Sequence, residues 1–476
     1  MCSNPEMTAS RRRGPNPRLS LALLAGRVVG TAARLSGRGG GTALPGTVAQ
    51  RLYPSLLADV ASGLEQGVVL VSGTNGKTTT SRLLASMLTA SGYQVLHNRS
   101  GSNLLRGIAS SVVQSTHLGG RPAADVAVFE TDEAVLPLLL REMCPRVLLL
   151  NNLFRDQLDR YGELDTLYRS WESAVSSLPA HVTLVVNVDD PALARLAEQA
   201  RCKVLPFGLY APEYALAELP HAADAAACAR CRLPLQYTRV YVSHMGEYHC
   251  PNCGFSRPEP EVLATDLHLH GTEATQLTLR EPGGAHELTL NVPGLYNVYN
   301  ALAAAAGALA LGTEWEAIAH GFAGFSAAFG RFERVRAEGR EIAVILVKNP
   351  VGANEVLRML VSDPLPEPVL LIINDRIADG RDVSWLWDAD FELLACLPGP
   401  FITSGVRAAD MALRLKYAGI PTERIEVVED IPSALAEAVR RTREGGTLRV
   451  LPTYTAMLEL RREMGELGWV QPYWEE

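Results

Sequence analysis

The stretch Ser72-Gly73-Thr74-Asn75-Gly76-Lys77-Thr78-Thr79-Thr80 decides how this sequence folds. It follows the apolar run Val68 to Val71 and opens an amphipathic segment, Thr78 to Thr89. A glycine-containing turn between a buried strand and a helix lets backbone N–H groups close around phosphate oxygens. Lys77 would bring a positive charge to a transferred phosphate, and Thr78 would hold Mg²⁺. The alternative interpretation is an ordinary strand-to-helix turn, which the composition of the loop disfavours.

The same rhythm of apolar strand, turn and helix is repeated along most of the chain. Strands buried inside a parallel sheet are covered by helices on both faces and therefore read as continuous apolar runs. The first series continues through Asp125 to Phe129, Arg146 to Leu150 and Val182 to Asn187. The second series comprises Ile342 to Val347, Val369 to Ile373, Phe401 to Thr403, Ile425 to Val428 and Leu448 to Leu451. We therefore predict an α/β fold with two parallel sheets, the second in a Rossmann-like domain.

Length and composition limit the number of domains and the class of protein. Its 476 residues are too many for one ordinary core, and 47% of them are hydrophobic. The net charge of −8 argues against a protein that mainly grips nucleic acid through phosphate contacts. We expect the boundary between the two sheets near Gly330 to Gly339. The predicted segments are a basic, partly disordered N-terminal segment (1–45), a central ATP-binding domain (46–330), a small cysteine module inserted in it (222–258) and a C-terminal domain (331–476).

The N-terminal segment is locally basic. Only Glu6 opposes its arginines among the first forty residues. Arg27 cuts short the apolar run Leu19 to Gly26, so we expect no export signal and a cytoplasmic protein. A basic, partly amphipathic start could touch anionic lipid at the inner face of the membrane, whereas the plainer interpretation is a disordered tail followed by a surface helix.

Four cysteines predict a metal site. Cys228-x2-Cys231 and Cys250-x2-Cys253 have the spacing of a tetrahedral Cys₄ zinc ribbon. Pro251 and Gly254 favour the tight turn that points both sulfurs inward. Disulfides are the alternative, which a reducing compartment disfavours. With all four positions filled by thiolates, the zinc would be structural.

Several motifs together resemble the Mur ligase superfamily. They are GTNGKTT in the loop, VFETDE ending at Glu133, Asn151 to Arg160, Asn187 to Pro191 and Gly294 to Ala301. The resemblance implies that Glu130 holds a second Mg²⁺, that Asn297 and Asn300 lie by the adenine of ATP, and that Arg331 lies near the nucleotide. Taken without the other motifs, each residue has a plainer interpretation. Glu130 could be a surface acid, the asparagines could be helix caps, and Arg331 could be a solvated charge. The ATP contacts implied are Gly73, Thr74, Asn75, Gly76, Lys77, Thr78, Thr79, Asn297, Asn300 and Arg331.

Two positions depart from the amino-acid-adding members of the superfamily. Gln157 stands where they have histidine, and Glu172 falls about where they have a lysine that becomes carbamylated. Both are metal-site positions in that family. One hypothesis is that the Glu172 carboxylate replaces the carbamate.

The C-terminal domain carries a further signature. Lys348 to Asn354 stands where Mur ligases have a similar Asn-Pro element, and Asn374 to Asp388 resembles the branch of the family that amidates lipid II. That resemblance implies an ATP-dependent carbon–nitrogen ligase of peptidoglycan biosynthesis. It would convert the α-carboxylate of D-isoglutamate in the lipid II stem peptide to an acyl phosphate, which ammonia then attacks.

The source of ammonia is implied to be a second protein. The chain lacks a Gly-x-Cys-x-Gly nucleophile elbow, so a GatD-like class I glutamine amidotransferase would be the partner. Asp382 would reach across to orient the partner's catalytic histidine. The plainer interpretation of Asp382 is a turn acid bonded to its own loop.

Two other functions stay open at this point. One is an amino-acid-adding ligase of the Mur or folylpolyglutamate type, which Gln157, the cysteine module and Asp379-Gly380-Arg381-Asp382-Val383-Ser384-Trp385 disfavour. The other is a zinc-ribbon nucleotide-binding regulator without catalytic activity. Supplying ammonia or amino acids with ATP separates the enzymes, and absence of ATP turnover would favour the regulator.

Overall fold

The computed structural model describes residues 16–35, 43–98, 102–155, 164–220, 223–224, 226–271, 273–325 and 332–470. The α-helices are α1 (Pro17–Leu35), α2 (Leu44–Leu52), α3 (Leu56–Ala61), α4 (Lys77–Ala90), α5 (Leu105–Gln114), α6 (Leu136–Met143), α7 (Leu164–Ser176), α8 (Pro191–Gln199), α9 (Leu295–Ala310), α10 (Trp315–Ala323), α11 (Pro350–Ser362), α12 (Ala408–Tyr417), α13 (Ile431–Arg441) and α14 (Tyr454–Glu466). The strands of the first sheet are β1 (Gly67–Ser72), β2 (Val95–His97), β3 (Val126–Glu130), β4 (Val147–Leu150), β5 (Thr183–Asn187), β6 (Lys203–Leu209), β9 (Val262–His270), β10 (Ala274–Glu281) and β11 (Gly284–Leu290), and those of the inserted hairpin are β7 (Gln236–Val242) and β8 (Met245–His249). The strands of the second sheet are β12 (Phe332–Ala337), β13 (Arg340–Ile345), β14 (Val369–Ile372), β15 (Phe401–Ser404), β16 (Ile425–Val427) and β17 (Thr447–Pro452).

The first sheet has the strand order β11-β10-β9-β6-β5-β4-β1-β3-β2. β1 runs parallel between β3 and β4, and Val71 lies opposite both Glu130 and Leu149. The apolar run that predicted β1 is fully buried, because helices cover both faces of the sheet. The loop after β1 therefore leaves the middle of the sheet, where the carboxyl ends of neighbouring strands meet. This is where ligands bind in open α/β sheets, and the predicted parallel α/β fold is confirmed.

Helix α9 packs tightly because its residues are small. Its alanines from Ala301 to Ala306 are almost completely buried. A Cβ added at Gly307 would lie 3.1 Å from a methyl carbon of Leu149 and 3.2 Å from one of Leu84. Small side chains thus let α9 pack directly against both the sheet and α4. This holds Asn297 and Asn300, in the first turns of α9, close to the loop after β1.

The N-terminal helices cover the opposite face of the same sheet. The buried side of α1 presents Leu19 and Leu23 to the core, and α2 packs against α1 and α5. Gly46 permits this close approach, because an added Cβ would lie 2.4 Å from the carbonyl oxygen of Arg106. Residues 1–15 and 36–42 of the predicted basic segment lie outside the described residues. In the described ranges, no helix combines the length and the apolar character that a membrane crossing requires.

The C-terminal sheet has the strand order β12-β13-β17-β14-β15-β16. The strands β13, β17, β14, β15 and β16 run parallel to one another, as the second apolar series predicted. β12 pairs antiparallel with β13 and lies in the stretch that the sequence suggested as a domain boundary. Its sequence FERVRA hides the strand pattern, because charged residues separate the buried Phe332, Val335 and Ala337. The C-terminal domain thus begins its sheet one strand earlier than the apolar runs indicated.

Candidate functional site

The loop of residues 72–80 is shaped by its glycines. Gly76 has a φ of 85°, and a Cβ added there would lie 1.9 Å from Oδ1 of Asn300. Glycine is therefore required both for the backbone conformation and for the approach of α9. No side chain caps α4, which begins at Lys77, and the dipole of a helix N-terminus attracts anions. The loop has the geometry of a phosphate-binding site.

Asparagines of the segment after β4 fix the loop from the side. Asn152 accepts a hydrogen bond from the backbone N–H of Asn75 through Oδ1 (2.8 Å) and donates one to the carbonyl of Asn75 through Nδ2 (3.1 Å). Asn151 donates to Oγ1 of Thr80 (3.0 Å). The hydroxyl oxygen of Thr74 accepts a hydrogen bond from the backbone N–H of Phe154 at 2.9 Å. These contacts explain why the Asn151 to Arg160 motif accompanies the loop, although residues 156–160 lie outside the described residues.

Lys77 is buried and bonded within its own loop. Its Nζ donates to the carbonyls of Gly73 (2.6 Å) and Thr74 (3.2 Å) and to Oε1 of Glu133 (2.8 Å). Trp171 of α7 fixes Glu133 in turn by donating its indole N–H to the carbonyl of that residue at 2.9 Å. Glu133 thus neutralises the charge of the lysine.

Glu130 lies at the carboxyl end of β3, and 3% of it is exposed. The side-chain amide of Asn98 holds the backbone of Glu130 in place. It accepts a hydrogen bond from the N–H of Glu130 and donates one to its carbonyl oxygen, each at 2.9 Å. Its carboxylate oxygen Oε2 is buried and has no hydrogen-bond partner among the described residues. A buried carboxylate oxygen without a partner is costly, and a hard cation such as Mg²⁺ would satisfy it.

A cavity of about 100 Å³ lies between the loop and the C-terminal domain. Beside it, paired side-chain amides of Asn75 and Asn349 join the loop to the C-terminal domain, at 3.0 and 3.4 Å. Lys348 donates to the carbonyl of Thr74 at 3.4 Å. The predicted nucleotide contacts that line the cavity are Asn75, Gly76, Thr78, Thr79 and Asn300.

The asparagines of α9 form a small hydrogen-bond network at this cavity. Asn300 donates to Oδ1 of Asn297 at 3.1 Å, and Asn297 donates to the carbonyl of Pro293 at 2.7 Å. Asn300 lines the cavity, whereas Asn297 acts behind it by orienting Asn300. Arg331 lies outside the described residues.

A buried acid of the C-terminal domain also faces the cavity. Glu355 of α11 lines it, and burial raises the pKa of its carboxyl group. Arg358 opposes this shift, donating to Oε1 of Glu355 at 2.9 Å and to the carbonyl of Tyr241 at 2.7 Å. Glu355 and Arg358 were not singled out in the sequence, because an acid and a base spaced three apart are typical of any surface helix.

The four cysteine sulfurs of the inserted module form one cluster. The Sγ atoms of Cys228, Cys231, Cys250 and Cys253 all lie within 4.8 Å of one another. Tetrahedral zinc with Zn–S bonds of about 2.3 Å needs sulfurs about 3.8 Å apart, so the cluster is compatible with zinc, and its spacings are too long for disulfides. The N–H of Leu233 is the main cause that lowers the pKa of Cys231 to about 6, which favours the thiolate.

Positive-φ residues close both turns of the cluster. Arg232 (φ 65°) and Gly254 (φ 71°) each follow the second cysteine of a pair. The N–H groups of these residues donate to the carbonyls of Cys228 (2.8 Å) and Cys250 (3.1 Å). The sequence indicated this turn at Gly254, whereas Arg232 carries no comparable signal.

The β7–β8 hairpin connects the cysteine cluster to the cavity. Its open end carries the cluster, and its tip presents Val242 and Met245 to the cavity. The N–H of Gly246 donates to the carbonyl of Asp189 at 2.9 Å, and Asn187 donates to the sulfur of Met245 at 3.3 Å. Nothing in the sequence indicated that the inserted module reaches the nucleotide cavity.

Asp382 lies far along the chain from these groups, on an exposed loop of the C-terminal domain. Its Oδ1 accepts the N–H of Ser384 at 2.8 Å. Hydrogen bonds from the side chain and backbone of Ser384 lower the pKa of the carboxyl group, so Asp382 is an ionised surface carboxylate. Large apolar side chains are exposed on the same domain, among them Ile377, Trp387 and Tyr417.

Glu172 follows the buried Trp171 on α7, and the replacement of the carbamate by its carboxylate stays a hypothesis. Its Oε1 accepts from Gln199 at 2.7 Å, which places the carboxylate against α8. Trp171 is the residue of α7 that contacts the acidic segment after β3. Gln157 lies outside the described residues.

Comparison with known proteins agrees with this architecture. The family model for the Mur ligase middle domain matches residues 71–256, and the model for the MurT ligase C-terminal domain matches residues 346–457. The lipid II isoglutaminyl synthase (glutamine-hydrolyzing) subunit MurT of Streptococcus pneumoniae is 36% identical over 94% of this chain and 97% of its own length. The subunit of the same name from Staphylococcus aureus (strain COL) is 32% identical over 89% of this chain and 93% of its own length.

Solved structures share the fold at lower identity. A pseudomurein peptide ligase type C from Methanothermus fervidus superposes with a TM-score of 0.64 at 22% identity, covering 84% of this chain and 78% of that one. The arrangement of the two α/β domains thus occurs in a solved structure, which shows the fold alone. The chain belongs to the MurT family of Mur ligases.

Proposed function

We propose that this chain is the ATP-dependent ligase subunit of a lipid II isoglutaminyl synthase. The observation that carries the proposal is the loop of residues 72–80, where Lys77 opens α4 directly after β1. The neighbouring strand β3 ends at Glu130, whose Oε2 is buried without a partner among the described residues. Similarity to the MurT subunits over nearly the whole chain supports it.

The residues of the loop, of β3 and of α9 have distinct roles in this proposal. The loop N–H groups and Lys77 bind the phosphates of ATP, and Thr78 and Glu130 hold Mg²⁺. Asn300 contacts the nucleotide, with Asn297 fixing its orientation. Arg331 is proposed to lie near the nucleotide, as in the family.

The reaction begins at the α-carboxylate of D-isoglutamate in the stem peptide. A carboxylate oxygen attacks the terminal phosphorus of ATP, and the bond to ADP breaks, giving an acyl phosphate. Ammonia then attacks the carbonyl carbon, loses a proton and expels phosphate, which leaves the amide of D-isoglutamine. Lys77 stabilises the charge on the transferred phosphoryl group, and bound Mg²⁺ supplies further neutralisation.

The ammonia is supplied by a GatD-like glutaminase in a two-subunit complex. A surface carboxylate held ionised by Ser384 suits Asp382 to orient the partner's catalytic histidine. The exposed Ile377, Trp387 and Tyr417 offer apolar area for a protein contact near that loop. The complex works in the cytoplasm, against the inner face of the membrane that carries its substrate.

Zinc in the cysteine cluster is structural. Four thiolates leave no position for water, so the ion holds the β7–β8 hairpin rather than acting on substrate. Because the hairpin tip lines the cavity, we expect the ion also to keep Val242 and Met245 in place.

Replacing Cys231 with serine is expected to remove one equivalent of zinc per chain. The free energy of unfolding should fall by several kcal/mol, because zinc binding to such clusters is coupled to folding. Zinc content by elemental analysis and thermal unfolding measure the two effects. Cys202→Ser, at a cysteine outside the cluster, is the matched control, and equal zinc content in both variants would contradict the assignment.

The test of the function is reconstitution of the reaction. Purified chain with a GatD-like glutaminase, glutamine, ATP, Mg²⁺ and lipid II should release phosphate and shift the mass of lipid II as –OH is replaced by –NH₂. Copurification of the two proteins should accompany the activity. Addition of an amino acid instead of ammonia to the stem would contradict the proposal, as would a failure to release phosphate.

A further inference from the structure

A stripe of apolar side chains on α1 faces solvent. Leu21, Leu24 and Val28 are 61%, 48% and 58% exposed, respectively. Their spacing of three and four residues puts them on one side of the helix. The opposite side of α1, with Leu19 and Leu23, is packed into the core, so the exposed stripe has a fixed orientation.

Positive charge accompanies the stripe. Arg18 is exposed on one flank of it, and the half-buried Arg27 stands on the other flank, where it donates to the carbonyls of Val113, Gln114 and Thr116. Between Met7 and Ala58 the sequence has eight arginines and neither Asp nor Glu. The remaining residues together carry a net charge of −16, the difference between −8 and +8. The basic charge is thus concentrated in the part of the sequence that contains this helix, in an otherwise acidic protein.

We infer that the stripe of Leu21, Leu24 and Val28, with its arginine flanks, docks on a bilayer surface that contains anionic phospholipid. Apolar side chains on a helix lying in the interface enter the acyl boundary, while arginines approach the headgroups. A second copy of the chain is a poorer occupant, because it would bring two acid-free, arginine-rich segments together. The inference deepens the proposed function, since it gives the ligase a route to a membrane-anchored substrate.

The test uses the full chain and vesicles without lipid II, so that it does not depend on the proposed reaction. Cosedimentation should be stronger with phosphatidylcholine–phosphatidylglycerol vesicles than with phosphatidylcholine alone, and should weaken as salt is raised. The variant Leu21→Glu/Leu24→Glu/Val28→Glu should bind the anionic vesicles roughly tenfold less tightly or worse. The matched control Val406→Glu/Val427→Glu/Leu467→Glu adds the same charge at exposed positions of the C-terminal domain and should bind as the wild type does.

Each other outcome overturns the inference. These are absence of wild-type binding, equal binding to both vesicle types, equal loss in the control, and a wild-type dimer that the α1 variant dissociates. Activity toward a water-soluble stem peptide separates the two proposals. If vesicles are bound but no substrate is amidated, the proposed function fails and the docking surface stands; the α1 variant should amidate the soluble substrate normally and vesicle-embedded lipid II poorly.

Discussion

Replacing Asp382 with asparagine is expected to lower glutamine-driven amidation by about 10⁴-fold, the loss seen when the acid of a nucleophile–His–Asp triad is replaced by its amide. Asparagine nearly preserves the size of the side chain, but it removes the charge that would orient and stabilise the partner's histidine. Because Asp382 is exposed and bonded only locally, to Ser384, folding should be unaffected. The measurement is the rate of lipid II amidation in the reconstituted complex.

Two controls distinguish a role of Asp382 in the use of glutamine from a role in the ligase site. Supplying ammonium salt in place of glutamine should restore amidation by Asp382→Asn, because the ligase site of the chain is untouched. Asp410→Asn removes the same charge from another exposed position of the C-terminal domain and should remain active with glutamine. Full glutamine-driven activity in Asp382→Asn would reject the assignment, and loss of ammonium-driven activity would relocate the role of Asp382 to the ligase itself.

Replacing Lys77 with methionine is expected to reduce ATP-dependent amidation by at least about 10²–10³-fold with either nitrogen source, since one preorganised electrostatic partner of a transition state contributes that much. The same change leaves Glu133 buried without its cation, and breaking a buried pair costs about 3–5 kcal/mol of stability. Loss of activity alone would therefore not distinguish a chemical role from a damaged fold.

The double variant Lys77→Met/Glu133→Gln separates the two effects. Removing both charges should recover most of the free energy of unfolding, measured in denaturant, while amidation stays lost. Recovery of amidation in the double variant would mean that Lys77 serves only to neutralise Glu133. ATP binding by calorimetry, compared between the single and double variants, identifies whether nucleotide affinity or the chemical step is affected.

The parallel cores and the phosphate loop were predictable because their causes are local. An apolar run next to Gly73 and Gly76 leaves few alternatives to a strand and a turn around anions, and two CxxC pairs leave few alternatives to one sulfur cluster. The alanine-rich α9 was likewise recognisable as a buried helix from its composition. The charged strand β12 was not, since its buried residues are separated by arginines and glutamate.

Contacts between distant segments could not be read from the sequence. Glu133 stands in the quoted VFETDE motif, yet only the packing of Trp171 and the loop shows that it pairs with Lys77. The same holds for Met245 and Glu355, which reach one cavity from an inserted hairpin and from another domain. The positions of these residues in the sequence do not predict that they line the same cavity, because only tertiary packing brings them together.

The paired amides of Asn75 and Asn349 have a consequence for turnover. The cavity behind them, about 100 Å³, is smaller than the roughly 300–1,000 Å³ of typical ligand pockets. A nucleotide needs more room than this, so we expect each catalytic cycle to separate the two domains and rejoin them. Lys77, meanwhile, is occupied by Glu133, and an incoming phosphate has to displace that carboxylate. We therefore expect the pace of synthesis to depend on opening and closing as well as on bond making.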